Sequence, residues 1–212
     1  MTLSTIDPTA ALVVIDLQHL IVARYAEHGS AAAVAKAAEL AAAFRERGLP
    51  VALVRAVGQA PGRTEQSVAR AAAAAAASAS GAASGTAAAA TALPPEAMEI
   101  VSELEGPGIR ITKRTWGAFH ETDLHEQLQA AGVTQIVLAG IATTKGVEST
   151  ARAAHEHGYH VTFATDAMTD DDLAAHEHGI DVVFPGLGET GTTAEVIALL
   201  PAAAREDVRT RE

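Results

Sequence analysis

Short apolar runs of strand length alternate with helix-period stretches along most of this chain, and that alternation narrows the fold more than any other feature. Residues 11–15, ALVVI, read as a buried strand with Asp16 at its carboxyl end, and residues 50–54, PVALV, read as a second. Ile109–Ile111, Gln135–Ala139, His160–Ala164 and Asp181–Phe184 are four further strand candidates. Helical patterns lie between or after them at 122–131, 144–157, 170–178 and 192–204. An earlier helix is clear from Ala31 to Arg47, where Val34, Leu40, Ala41 and Phe44 form an apolar stripe and Gly48 a stop; the pattern at Ile21–Tyr25 is faint. Strands joined through helices require right-handed crossovers. The expected architecture is therefore α/β: a three-layer α/β/α sandwich with a mostly parallel, Rossmann-like central sheet of about six strands. Such sheets bind ligands beyond the carboxyl ends of their strands, which directs attention to Asp16, Arg55, Lys113 and the turn at 140–146.

A length of 212 residues suits one domain, 1–212, with an appendage. The appendage is RAAAAAAASASGAASGTAAAATALPP, an alanine-rich insertion at about 70–95. Alanine favours helix there, while Gly81, Gly85 and the serines weaken it, so the expectation is a helix of uncertain length and then a mobile loop before Pro94. It reads as a surface insertion, with a lid or a subunit-contact arm as the functional alternative.

Composition removes several function classes. The 26 acidic residues outnumber the 15 Lys and Arg, for a formal net charge of −11, and no basic cluster follows a phosphate backbone, so nucleic acid is not an expected partner. Cysteine is absent, which excludes thiolate metal sites and any cysteine nucleophile. No apolar stretch reaches the ~20 residues of a membrane span and no basic region precedes the first apolar run, so a cytoplasmic protein without a membrane partner is expected. Of the nine histidines, His155 and His157 lie two apart on a helical pattern and cannot chelate one ion from a single face; His176 and His178 fail likewise. No metal and no cofactor are expected.

The residues left for chemistry cluster at the strand ends. Asp16, directly after an apolar run, either caps the following helix or sits desolvated with a raised pKa suited to acid or base work. Either Lys113 or Arg114, by alternation, faces the Asp16 side, where a cation would pair with the carboxylate. Trp116 and Phe119 supply local aromatic surface as a pocket wall or as plain core. Lys145 reads as a surface residue, with an inward turn that would add a second cation for an acidic substrate as the alternative. Gly146 opens a helix, at a cost of roughly 1 kcal/mol relative to alanine. An unpaired helix N-terminus there would attract a carboxylate or a developing oxyanion, and glycine would let it approach. Attack by Thr143 or Thr144 is not favoured, since neither has an evident base.

Taken together, VVIDLQ and ITKRTWGAFHETDLHEQLQAAGVTQIVLAGIATTKGVESTARAAHEHGYHVTFATDAM resemble the isochorismatase-like hydrolase family, also called the cysteine hydrolases. The resemblance implies an Asp–Lys–Cys triad falling on Asp16, Lys113 and Gly146, so that a glycine holds the nucleophile's place and acyl-enzyme chemistry is closed. Isochorismatases are similar in this respect: they too have glycine there and hydrolyse a vinyl ether, with the aspartate as general acid and without a covalent intermediate. Asp16 would then be the acid and Lys113 its partner. Gln18, Arg55, Trp116, Phe119, Ile141, Ala142 and Thr143 would line the substrate, and a non-proline cis peptide would fall at Ile141–Ala142. Two departures concern the substrate. Ala56 stands where isochorismatases carry a glutamine, and Ala142, Thr143 and Thr144 replace a bulkier turn with tyrosine and histidine. The expected function is a hydrolase of a small, anionic molecule; the alternative is a member without catalysis that serves as a small-molecule binder or oligomeric partner. Family resemblance also implies a homodimer or higher homo-oligomer.

Overall fold

The computed structural model describes residues 3–58, 60–81 and 94–202. Six strands form one sheet: β1 (Ala10–Ile15), β2 (Val51–Ala56), β3 (Ile109–Lys113), β4 (Gln135–Ile141), β5 (His160–Thr169) and β6 (Glu189–Gly191). Every pairing is parallel, in the order β3-β2-β1-β4-β5-β6. Helices cover both faces: α1 (His19–Arg24), α2 (Ser30–Glu46), α3 (Glu65–Gly81), α4 (Leu124–Ala130), α5 (Glu148–Glu156), α6 (Leu173–His178) and α7 (Thr193–Leu199). This is the three-layer architecture that the alternation demands.

Burial follows the pleat. Leu12, Val14, Leu53 and Val137 join the core beneath α2, whereas Val13, Ile15, Val54 and Leu138 join the core beneath α4 and α5. On α2 the buried Ala33, Ala37, Leu40, Ala41 and Phe44 recur at helical spacing, so the helix lies with one stripe on the sheet. The central strands β1 and β4 are buried at every position, which accounts for their continuous apolar sequences.

Two expectations about elements need correcting. Asp181–Phe184 is not a strand; Gly179–Val183 forms a π-helical turn and Phe184–Gly186 a 3-10 turn, and the sixth strand follows at Glu189–Gly191. Phe184 anchors this turn by stacking on Phe163, 3.8 Å between ring centroids, and Pro185 has no N–H to give a ladder. The last helix ends at Leu199 and not at 204; residues 203 and 204 lie outside the described residues. In the alanine-rich segment α3 runs to Gly81, and its side chains from Glu65 to Ala69 and from Ala71 to Ala76 are exposed. The loop expected before Pro94 falls mostly on residues outside the described ones. Among the described residues, no helix is long and apolar enough to cross a membrane.

Candidate active site

From the centre of the sheet the chain proceeds outward in two directions, through β2 and β3 on one side and through β4, β5 and β6 on the other. The reversal falls between β1 and β4, where helices depart to opposite faces and leave a crevice. Beyond these strand ends lies a cavity of about 720 Å³ whose lining includes Asp16, Tyr25, Trp116, Ala142, Lys145 and Gly146.

Asp16 leaves β1 with φ 54°, a left-handed conformation that aspartate adopts more readily than most side chains. Its N–H still donates to the Val54 carbonyl at 2.9 Å, so pairing persists up to the kink. Lys113, the last residue of β3, is two strands away and spans that distance with its long stem. Its Nζ is 2.9 Å from Asp16 Oδ2 and also donates to the Trp116 carbonyl, with the side chain fully buried. Arg114 beside it is exposed, as alternation requires. The other Asp16 oxygen, Oδ1, is buried and has no hydrogen-bond partner among the described residues. Burial pushes the Asp16 carboxyl up to about 6, against the opposing pull of the Lys113 charge and hydrogen bond.

Two glycines make this arrangement possible. At Gly140, φ is 124° and a Cβ would stand 2.1 Å from the Ile15 carbonyl oxygen, so no side chain fits where β4 passes β1. At Gly146 a Cβ would stand 2.8 Å from Ile15 Cγ2, 3.1 Å from Lys113 Nζ and 3.3 Å from Asp16 Oδ2. The lysine and aspartate thus close into the volume that a side chain at 146 would claim.

Between these glycines the Ile141–Ala142 peptide is cis, and Thr143–Val147 forms a π-helical turn that leads into α5. The anion-binding helix terminus expected here is largely occupied from within. Lys145 and Val147 N–H both donate to the Ala142 carbonyl at 3.2 Å, and Thr144 N–H donates to Asp170 Oδ2 at 2.7 Å. Asp170 also accepts from Thr144 Oγ1 at 2.7 Å, from the Asp171 N–H at 2.8 Å and from Lys145 Nζ at 3.3 Å. Despite burial, which acts to raise it, the side-chain interaction with Asp171, the two hydrogen bonds from Thr144 and the Lys145 charge hold the Asp170 carboxyl down at about 2.

The remaining expected site residues divide. Ile141, Ala142 and Trp116 line the cavity. Phe119 does not: it packs at 5.2 Å from the His157 ring and 5.9 Å from Tyr159, in the core beneath α4 and α5. Thr143 is fully buried with its hydroxyl 2.8 Å from His176 Nδ1, and is absent from the lining. Gln18 is wholly committed to backbone, donating to the Ala56 and Met98 carbonyls at 3.1 and 2.6 Å and accepting from Ala56 N–H at 2.8 Å. It fastens the β2 end to the segment before β3. Arg55 points to the other side of β2, pairing with Glu99 at 2.5 Å and donating to Thr112 Oγ1 at 3.1 Å, outside the cavity. Lys145, read from the sequence as a surface residue, instead lines the cavity, and Arg24 and Tyr25, which sequence reasoning missed, line it too. Tyr25 carried a usable signal, an aromatic in a chain that is only 3% aromatic. Among the described residues no group of three or more His, Asp or Glu side chains is placed to hold a metal ion.

Comparison with known proteins extends this picture. The isochorismatase domain family matches residues 10–195. The isochorismatase family protein YecD of Escherichia coli O157:H7 is 36% identical over 193 residues, covering 91% of this chain and 96% of that protein. YwoC of Bacillus subtilis (strain 168), of the same family, is 42% identical over 107 residues, which are 50% of this chain and 57% of that one. A solved isochorismatase family protein from Burkholderia thailandensis superposes with a TM-score of 0.76 at 36% identity, covering 92% of this chain and 97% of that chain.

Proposed function

The chain belongs to the isochorismatase family, and from that premise we propose that it hydrolyses a small anionic substrate without a covalent intermediate, with Asp16 as general acid and base and Lys113 as its partner. The observation that carries this reading is Asp16 Oδ1: a buried, unpartnered carboxyl oxygen on a cavity-lining residue, in a group whose pKa is about 6. An acid with that pKa holds its proton in a useful fraction of molecules near neutrality and can release it to a substrate. Lys113 binds Oδ2 and so directs the proton to Oδ1. Gly146 brings no nucleophile; it supplies room.

For a vinyl ether, the proton on Oδ1 passes to the terminal vinyl carbon and leaves an oxocarbenium ion. Water adds to the cationic carbon and loses a proton to the Asp16 carboxylate. The hemiketal then breaks its C–O bond to give a ketone and an alcohol. Asp16 ends protonated, as it began. The lysine lowers the pKa that this cycle needs raised, so the substrate's own desolvation of the site must favour the neutral acid.

The test follows pyruvate release from isochorismate, and product release from a panel of small enol ethers and amides, for wild type beside Asp16→Asn. Turnover in wild type that is lost in the variant is the expected result, with a rate that falls as pH rises through about 6. A well-folded wild type with no turnover on any member of the panel would count against catalysis and favour a binding protein built on the same cavity.

A further inference from the structure

Lys145 and Lys113 both flank Gly146 in space, yet their circumstances differ. Lys113 is fully buried and fixed between Asp16 and the Trp116 carbonyl. Lys145 retains 27% side-chain exposure, lines the cavity, and has two carboxylate partners of unequal hold: Asp171 at 2.8 Å and Asp170 at 3.3 Å. Asp170 is fully buried and keeps three other hydrogen bonds if the ammonium leaves. Asp171 is 42% exposed, and its carboxylate meets Lys145 Nζ at 2.8 Å beside the Asp170 carboxylate. An exposed ion pair of this kind contributes little and can be exchanged.

Arg24, at the end of α1, also lines the cavity, with its guanidinium carbon 5.9 Å from the Tyr25 ring centroid. It has no carboxylate partner among the described residues, in a chain of net charge −11. Arg24, Tyr25, Lys145 and Asp171 line the same cavity, where burial pushes the Tyr25 phenol up. The Thr144, Lys145 and Val147 amides are already engaged, so on this wall the Lys145 and Arg24 side chains are the charged donors that face a negative ligand.

We propose that Lys145 and Arg24 form an anion subsite around Tyr25 that takes a carboxylate of the ligand, which displaces Asp171 from the Lys145 ammonium. The inference rests on the hydrolase reading for the identity of this cavity as the substrate site, and it sharpens that reading: the substrate is a small carboxylic acid, held by its carboxylate at Lys145 and Arg24 with its reacting group at Asp16. Asp171 acts as a resident counter-ion that competes with every incoming anion. It therefore sets the threshold affinity and disfavours neutral ligands, which cannot replace it.

Trp116 is the chain's one tryptophan and lines the cavity, so its fluorescence reports occupancy. The full chain is titrated with benzoate, pyruvate and acetate, and with benzamide as the uncharged counterpart of benzoate. The expected result is saturable binding of at least one carboxylate that Lys145→Met and Arg24→Met each weaken by about tenfold, with any benzamide binding unchanged. Asp171→Asn should tighten the same carboxylate several-fold, an effect that a merely structural Asp171 would not produce. Absence of a saturable response to all three carboxylates overturns the proposal, as does a carboxylate affinity in Lys145→Met within about twofold of wild type. Circular dichroism of each variant confirms that it folds. The two readings fail separately. Lost carboxylate preference with Asp16-dependent turnover intact removes the subsite alone, while an intact subsite without Asp16-dependent turnover removes the hydrolase alone.

Discussion

The ends of β1 and β5 each present a buried aspartate beside a lysine, and the two carboxyls are driven in opposite directions. Asp16 rises to about 6, whereas Asp170 falls to about 2. Burial raises both, and Asp16 is the more deeply enclosed of the two; the cation does not separate them, since Asp170 holds its own at the longer distance. The number of donors differs as well. Asp170 accepts from Thr144 twice and from Asp171 as well as from Lys145, so its charge is solvated by protein. Asp16 accepts from Lys113 alone and keeps one oxygen bare. A lysine neighbour thus does not by itself fix a buried carboxyl's state; the depth of its enclosure and the hydrogen bonds to its charged form do. One aspartate is tied into the turn it stabilises, and the other retains a free oxygen for chemistry.

The sharpest way to break this contrast is through turnover. Asp16→Asn should lower hydrolysis by about 10³-fold, in the range of a lost general acid, while Asp170→Asn retains a measurable rate. Steady-state assays on the two folded variants decide it, and equal losses would erase the distinction.

Stability should next show opposite pH dependences. Asp16 has a raised folded pKa, so its contribution is fully present below the unfolded value of 3.8 and is lost as pH rises through about 6. Asp170 has a depressed folded pKa, so its contribution is present above 3.8 and lost as pH falls through about 2. Asp16→Asn should therefore gain on wild type as pH rises from 4 to 6, and Asp170→Asn should gain as pH falls from 4 to 2, each on the order of 2 kcal/mol. Urea unfolding across pH measures both slopes.

Gly146→Ala sharpens the β1 side of the comparison. A Cβ 2.8 Å from the Ile15 methyl forces the buried strand end to shift, at a cost of about 1–2 kcal/mol, and disturbs the Asp16–Lys113 pair. Gly146→Cys meets the same obstruction, so seating a thiol there requires Ile15 to yield first. Thermal unfolding beside an activity assay reports both effects. The smallest effect is expected at Arg55. Its pair with Glu99 lies outside the cavity with both side chains about one-third or more exposed, so Arg55→Ala should change stability by less than about 1 kcal/mol and leave KM unaltered.

The sequence made the sheet legible because β1, β4 and the first four residues of β2 are buried on both faces and carry largely apolar runs. Residues 181–184 look the same in one dimension and fold otherwise. An apolar run that short has no periodicity of its own, and the stacking of Phe184 on Phe163 with Pro185 behind it settles the outcome. In the site, Asp16, Lys113 and Gly146 were legible from motif order, and the structure brings them within contact of one another. Gln18 and Arg55 misled for a common reason: a polar side chain at a strand end shows its type in the sequence and not its partner, and both are satisfied by neighbouring backbone or Glu99. Lys145 was open to either orientation in the sequence, and its place within a π-helical turn goes with its position on the cavity wall.

The pairing of β1 with β4 also bears on the order of assembly. Ala10 pairs with Gln135 and Ile15 with Gly140, joining segments separated by more than half the chain, and a Cβ at Gly140 would collide with the Ile15 carbonyl. Contacts of this sequence separation close late, because loop entropy must be spent before they yield anything. Asp16 meets Gly146 only after that closure. A nascent or partly unfolded chain therefore carries every residue of the site yet no site, and any ligand that binds there reports a molecule whose central strands have already met.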